Sequence, residues 1–200
     1  MLKQRVITAI VGIPLLLWIA YLGGPFFRLL VALVVLAGAW EYFAMLKKKG
    51  YHLSPLVLFV SAVLVPAALL DPKYAGGAFF LVVFLHLAWM VFGRAKPHDA
   101  ALSLFGVFFI TWTLAHLILI RENQTQGFVF VLLTFLITWS TDTGAYFAGR
   151  FFGRRKLSPA ISPNKTVEGA IGGIALCVFA AMTLGHFLRF IDPLPLFILA

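Results

Sequence analysis

Long apolar runs separated by short clusters of charge set the pattern of this chain. The runs are Val6–Leu22, Phe26–Leu46, Pro55–Leu70, Gly76–Phe92, Ala101–Ile120, Phe128–Gly149 and Glu168–Arg189. Each is close to the ~17–25 residues of a membrane-spanning helix, the third and fourth being the shortest. The pattern predicts an all-α fold, a polytopic transmembrane helical bundle of about seven complete spans. Pro14 and Pro66 lie inside runs, where neighbouring helices can satisfy the carbonyls that proline frees. A further apolar run opens after Asp192-Pro193 and reaches only to Ala200. It is too short to cross a core of ~30 Å at ~1.5 Å per residue. Residues 1–200 are therefore expected to form a single membrane-embedded domain, cut within an eighth span.

Composition supports the same class. The chain is 62% hydrophobic and 12% charged, where soluble domains are about half apolar and about a quarter charged. In a soluble protein a net charge of +9 would point to nucleic acid. Here the basic residues occupy loops between apolar runs, so topology and anionic headgroups explain them, and no nucleic-acid partner is expected. Lys3, Arg5, Lys47, Lys48, Lys49, Arg94, Lys96, Arg150, Arg154, Arg155, Lys156 and Lys165 fall on one side of a seven-span topology. Arg28, Lys73, Arg121 and Arg189 fall on the other. The bias predicts a cytoplasmic N-terminus and a cytoplasmic basic hinge loop at 150–167. Cys177 is the only cysteine and reads as packing.

Polar chemistry concentrates between Trp139 and Gly173. Asp142 lies about fifteen residues into the sixth run, roughly 20 Å from its outer end. Glu41, between Trp40 and Tyr42, lies at a similar depth in the second run, and Glu168 opens the seventh. Thr138, Asp142, Ala145 and Gly149 share one helical stripe of small or polar residues, expected to face a neighbouring helix and turn the carboxylate from lipid. Asp142 reads either as a metal or nucleotide contact or as an acid paired with a hinge arginine. Glu41 reads equally as a functional or an interfacial acid. Ser162 suits a helix N-cap and Pro163 the first helical position. Free amides would then accompany Asn164, Lys165 and Thr166 in a phosphate-suited helix start. Gly169, Gly172 and Gly173 would allow close packing. The Arg154-Arg155-Lys156 run is a phosphate contact or a headgroup anchor. The five histidines show no metal-ligand spacing and are read as structural or interfacial.

Three readings follow: an enzyme joining a soluble phosphate-bearing substrate to an anionic lipid, a transporter, or a scaffold subunit. The displacement of the acids toward one surface favours the enzyme. A transporter would more often carry broken helices and polar groups near the midplane.

The hinge also carries a long, gapped pattern. It runs Asp142-Thr143-Gly144-Ala145-Tyr146-Phe147-Ala148-Gly149-Arg150, Phe152-Gly153, Leu157-Ser158-Pro159-Ala160-Ile161-Ser162-Pro163-Asn164-Lys165-Thr166-Val167-Glu168-Gly169 and Gly172-Gly173. About 35 residues thus resemble the bacterial phosphatidate cytidylyltransferase (CDP-diacylglycerol synthase) family. The resemblance implies transfer of a cytidylyl group from CTP to phosphatidate, release of pyrophosphate and dependence on Mg²⁺. It implies catalytic roles for Asp142 and Lys165, with Asp142 on the metal. Arg150, Arg154, Ser162, Asn164, Thr166, Glu168 and Glu41 are the expected substrate contacts. The expected partners are CTP, phosphatidate and anionic lipids, with a homodimer left open, at the bacterial inner membrane. The family also bears a second signature, Lys-Asp, His-Gly-Gly and Asp-Arg-x-Asp, which this chain lacks. Residues 1–200 alone are therefore expected to be inactive.

Overall fold

The computed structural model describes residues 2–93, 95–122 and 126–188. It is predominantly helical. The helices are α1 (Leu2–Leu22), α2 (Gly24–Lys48), α3 (Pro55–Leu69), α4 (Ala75–Phe92), α5 (Pro97–Gly106), α6 (Thr113–Glu122), α7 (Gly127–Phe152) and α8 (Val167–Leu188). A π-helical segment, Val107–Trp112, joins α5 to α6, so Pro97–Glu122 is one continuous rod. Arg189 and the run after Asp192-Pro193 lie outside the described residues; over its described residues each of the seven apolar runs is thus helical. Five are long and apolar enough to cross a membrane: Gly24–Lys48, Ala75–Phe92, Pro97–Glu122, Gly127–Phe152 and Val167–His186. The apolar stretches Ile10–Leu22 and Pro55–Leu69 are shorter. The fifteen residues of α3 reach only ~22 Å at ~1.5 Å each.

The surface is inverted relative to a soluble protein. Leu29, Leu33, Phe80, Phe84 and Phe179 are exposed, whereas His86, Asp99, Ser103 and Thr111 are buried. Outward apolar side chains suit lipid, and inward polar ones must find partners within the bundle. His86 does so: Nδ1 donates to Val82 O at 2.8 Å, and Nε2 accepts from Ser103 Oγ at 3.0 Å. It ties α4 to α5, which agrees with a structural reading of that histidine.

Contacts divide the chain into two compact units, Met1–Phe128 and Val129–Ala200. In the first, Phe27, Val31, Val35 and Ala39 of α2 recur every fourth residue and are all buried. Leu58, Val65 and Leu69 of α3 form a core with Val82, Val107 and Ala115. Local chemistry sets the helix boundaries. Ser54 Oγ caps α3 by accepting from Val57 N at 3.3 Å, and Pro55 follows it.

Two clusters mark opposite ends of this unit. At one end, Arg121 donates through Nε to Ala20 O at 2.7 Å and through Nη2 to Tyr21 O at 2.8 Å. Arg28 makes a two-pronged ion pair with Glu122, at 2.5 and 2.6 Å. Gly23 has φ 64°, a left-handed conformation that favours glycine, and a Cβ there would meet the Arg121 guanidinium. At the other end, His52 N donates to Asp99 Oδ1 at 3.2 Å, joining the α2–α3 loop to the start of α5. Lys47 and Lys96 belong to this second end, Arg28 and Arg121 to the first.

In the second unit α7 and α8 lie backbone to backbone. A Cβ on Gly144 would meet Gly172 O and Leu176 Cβ; one on Gly172 would meet Ala148 Cβ and Gly144 O. Gly169 and Gly173 lie equally close to Ala145 O and Thr141 O, at 2.9 and 3.0 Å from an added Cβ. Over-packing such a seam costs about 1–3 kcal/mol. Gly172→Val is therefore expected to lower the thermal midpoint in detergent, whereas Gly12→Ala, where an added Cβ would meet no other helix or side chain within 4 Å, should not lower it.

Candidate functional site: the hinge between α7 and α8

The hinge is a β-hairpin. Strand β1 (Lys156–Ser158) pairs antiparallel with β2 (Ser162–Thr166), in the register Lys156↔Thr166 and Ser158↔Ser162. The turn closes with Ile161 N donating to Ser158 O at 3.3 Å. The register advances two residues on β1 and four on β2, so β2 bulges between Ser162 and Thr166. An unbulged strand would alternate its faces. Here Pro163, Asn164 and Lys165 are exposed in succession and Thr166 is buried, so the amide and the ammonium are presented together.

The helix start expected at Ser162-Pro163 is not there. Ser162 is the first residue of β2, and α8 begins at Val167. Thr166 is the cap: its Oγ1 accepts from Gly169 N at 3.1 Å. Val167 N donates to Arg155 O at 2.9 Å. At the start of α8 the amides of Val167 and Gly169 are thus already bonded, to Arg155 O and to the threonine cap. Asn164 and Lys165 lie on a strand rather than on a helix terminus.

Glu168 lies in the first turn of α8. Its Oε2 accepts from Arg154 N at 3.0 Å and from Arg155 N at 3.2 Å, and Oε1 also approaches Arg155 N at 3.2 Å. The carboxylate therefore fastens the chain leaving α7 to the start of α8. Charge-assisted bonds of this type are the stronger class of hydrogen bond. They leave the Arg154 and Arg155 side chains exposed, with no hydrogen-bond partner among the described residues. Arg150 Nη1 lies 3.1 Å from Tyr146 Oη, one helical turn away.

Asp142 lies on α7, ten residues before the helix ends at Phe152. The seam facing α8 consists of Thr141, Gly144, Ala145, Ala148 and Gly149. Ala145 and Gly149 of the expected stripe belong to it; Thr138 and Asp142 are exposed. The contact line is rotated because Gly144 and Ala148, which permit the closest approach, lie beside the stripe. Asp142 pairs with no hinge arginine among the described residues, so its carboxylate is free to accept a ligand. Glu41 is exposed on α2, in the first unit. No cluster of three or more metal-ligating side chains occurs among the described residues.

A helical membrane protein with a basic hairpin pinned between two close-packed helices, and an uncommitted acid on the first of them, is the class that fold and site define. The model of the cytidylyltransferase family matches residues 3–200. The chain is 37% identical over 186 residues to the phosphatidate cytidylyltransferase of Brucella suis, covering 88% of this chain and 65% of the relative. It is 30% identical over 200 residues to the enzyme of that name from Synechocystis sp., covering 86% and 68%. It is 29% identical over 199 residues to that from Staphylococcus aureus, covering 94% and 74%. The chain belongs to the cytidylyltransferase family. It spans about two thirds of the length of the first two relatives.

Proposed function

We propose that this chain takes part in the reaction its relatives are named for, the making of CDP-diacylglycerol from phosphatidate and CTP for phospholipid synthesis. A phosphate oxygen of phosphatidate attacks the α-phosphorus of CTP; a new P–O bond forms, the α–β anhydride bond breaks, and pyrophosphate leaves. Little covalent chemistry is asked of the protein, and positioning and charge neutralisation supply most of the catalysis. The observation that carries the reading is the bulged hairpin. It holds Lys165 and Asn164 side by side on a fixed mount, where they can grip phosphate oxygens. Arg150 and Arg154 are exposed near the helix end and suit either anion. Ser162 and Thr166 shape the strand, and Glu168 secures it. Glu41 is the remaining candidate contact.

Mg²⁺ takes one or two carboxylates together with phosphate oxygens. The exposed, uncommitted Asp142 fits the protein's share of that donor set, and bound Mg²⁺ would offset the charge of the triphosphate. Lys165→Ala is expected to raise KM for CTP about tenfold, the scale of one charge-assisted contact, with a smaller effect on kcat. An unchanged KM would remove Lys165 from the nucleotide site.

The proposal includes seven spans, with the N-terminus and the hairpin in the cytoplasm of a bacterial inner membrane. The charge bias and the opposed end clusters of the first unit support it. Cysteines placed at Lys48 and Ser158 in a Cys177→Ser background should resist a membrane-impermeant thiol reagent in intact cells. Labelling of either from outside would refute the orientation.

A further inference from the structure

The first unit holds a cavity of ≈ 570 Å³ where the α2–α3 loop meets the α4–α5 connection. Its walls are of two kinds. Phe43 and Trp89 supply apolar surface, and Lys47, Lys96 and His52 supply nitrogen donors or positive charge. Asp99 is the one acid in the lining, and it is buried, 1% exposed. One of its oxygens is committed to the His52 backbone at 3.2 Å and approaches His98 Nε2 at 3.4 Å. The carboxylate holds the loop in place, while Lys47 and Lys96 are left exposed at the rim with no ion-pair partner among the described residues. Lys47 Nζ stands 5.8 Å from the Phe43 ring centre, held over an aromatic wall.

We infer that this cavity is an accessory site for the phosphate headgroup of an anionic phospholipid, built from none of the hinge residues. Two ammonium groups facing one cavity suit a single phosphate. The aromatic and apolar walls suit the glycerol and upper acyl segments that a free phosphate lacks. The volume lies in the usual range for a small-molecule pocket. The site is also at the helix ends rather than at mid-span, the level at which a headgroup would sit.

Generic attraction of lysines to an anionic surface is the competing explanation, and Lys48 and Lys49 provide the contrast. They are exposed beside Lys47 but do not line the cavity. The experiment is native mass spectrometry of the detergent-solubilised protein, titrated with phosphatidylglycerol and, separately, with inorganic phosphate. The Asp142→Asn background separates its outcome from that of the proposed reaction. One lipid is expected to bind ahead of the rest. Lys47→Ala/Lys96→Ala should weaken it about tenfold or more, on the scale of losing two lysine contacts with an anionic headgroup. Lys48→Ala/Lys49→Ala should leave it nearly unchanged, and Lys47→Arg/Lys96→Arg should restore it. An unchanged thermal midpoint of the lipid-free double alanine variant would show that the fold is intact. Equal losses in both alanine pairs, no loss in the first, or phosphate binding as tightly as lipid would each overturn the inference.

Discussion

Asp142→Asn is expected to lower the rate of CDP-diacylglycerol formation at least about a hundredfold, the scale of deleting one strong electrostatic contact in an active site. The substitution keeps shape and removes the charge a divalent cation needs. Three features argue for a loss of chemistry rather than of fold. The side chain is exposed on α7, outside the seam with α8, and its carboxylate has no hydrogen-bond partner among the described residues. The thermal midpoint in detergent should therefore stay near wild type while the rate falls. Activity should also respond less to Mg²⁺ concentration in the variant. Near-normal turnover at normal expression would demote Asp142 to a lipid- or water-facing residue of no catalytic consequence.

Glu168→Ala is expected to act by the opposite route. Removing the carboxylate leaves the Arg154 and Arg155 amides without their acceptor. Those amides fix where the hairpin leaves α7, so its mount loosens and Lys165 loses its position. Tryptic cleavage after Arg154 or Arg155 should quicken at least about tenfold, because local opening governs cutting at such a site. Turnover should fall at least about thirtyfold, since small misplacement of a positioning element is costly. The proteolysis readout needs no substrate. A variant that loses activity but keeps wild-type protection would make Glu168 a direct substrate contact instead.

Helix placement was legible because each run is long, apolar and bounded by chemistry with a local cause. Lys47–Lys49 before Gly50 and Ser54-Pro55 at the next start are examples. Orientation of α7 was less so. Periodicity placed Thr138, Asp142, Ala145 and Gly149 on one stripe, but in a membrane the closest backbone approach chooses the seam, and Gly144 and Ala148 claimed it. The hairpin was hidden for a different reason. Ser162-Pro163 has the chemistry of a helix start, and only the pairing of Lys156–Ser158 with Ser162–Thr166, a tertiary fact, turns it into a strand. Thr166-Val167-Glu168-Gly169 carried the true cap signal, a threonine three residues before the amide it caps. The cavity beside Lys47 and Lys96 is closed by His52 and Asp99, 47 residues apart, and no local pattern announces it. Family membership, by contrast, was readable because about 35 residues of the hinge resemble the family's own pattern.

The central proposal is that this chain takes part in moving a cytidylyl group onto a lipid phosphate. It is tested most directly by following label from CTP in membranes free of host enzyme, with the gene that encodes this chain expressed and phosphatidate supplied. CTP labelled at the α-phosphorus should pass its label into chloroform-soluble lipid, and CTP labelled at the γ-phosphorus should release its label as pyrophosphate. Label from the γ-position in the lipid, or none from the α-position, would contradict the account.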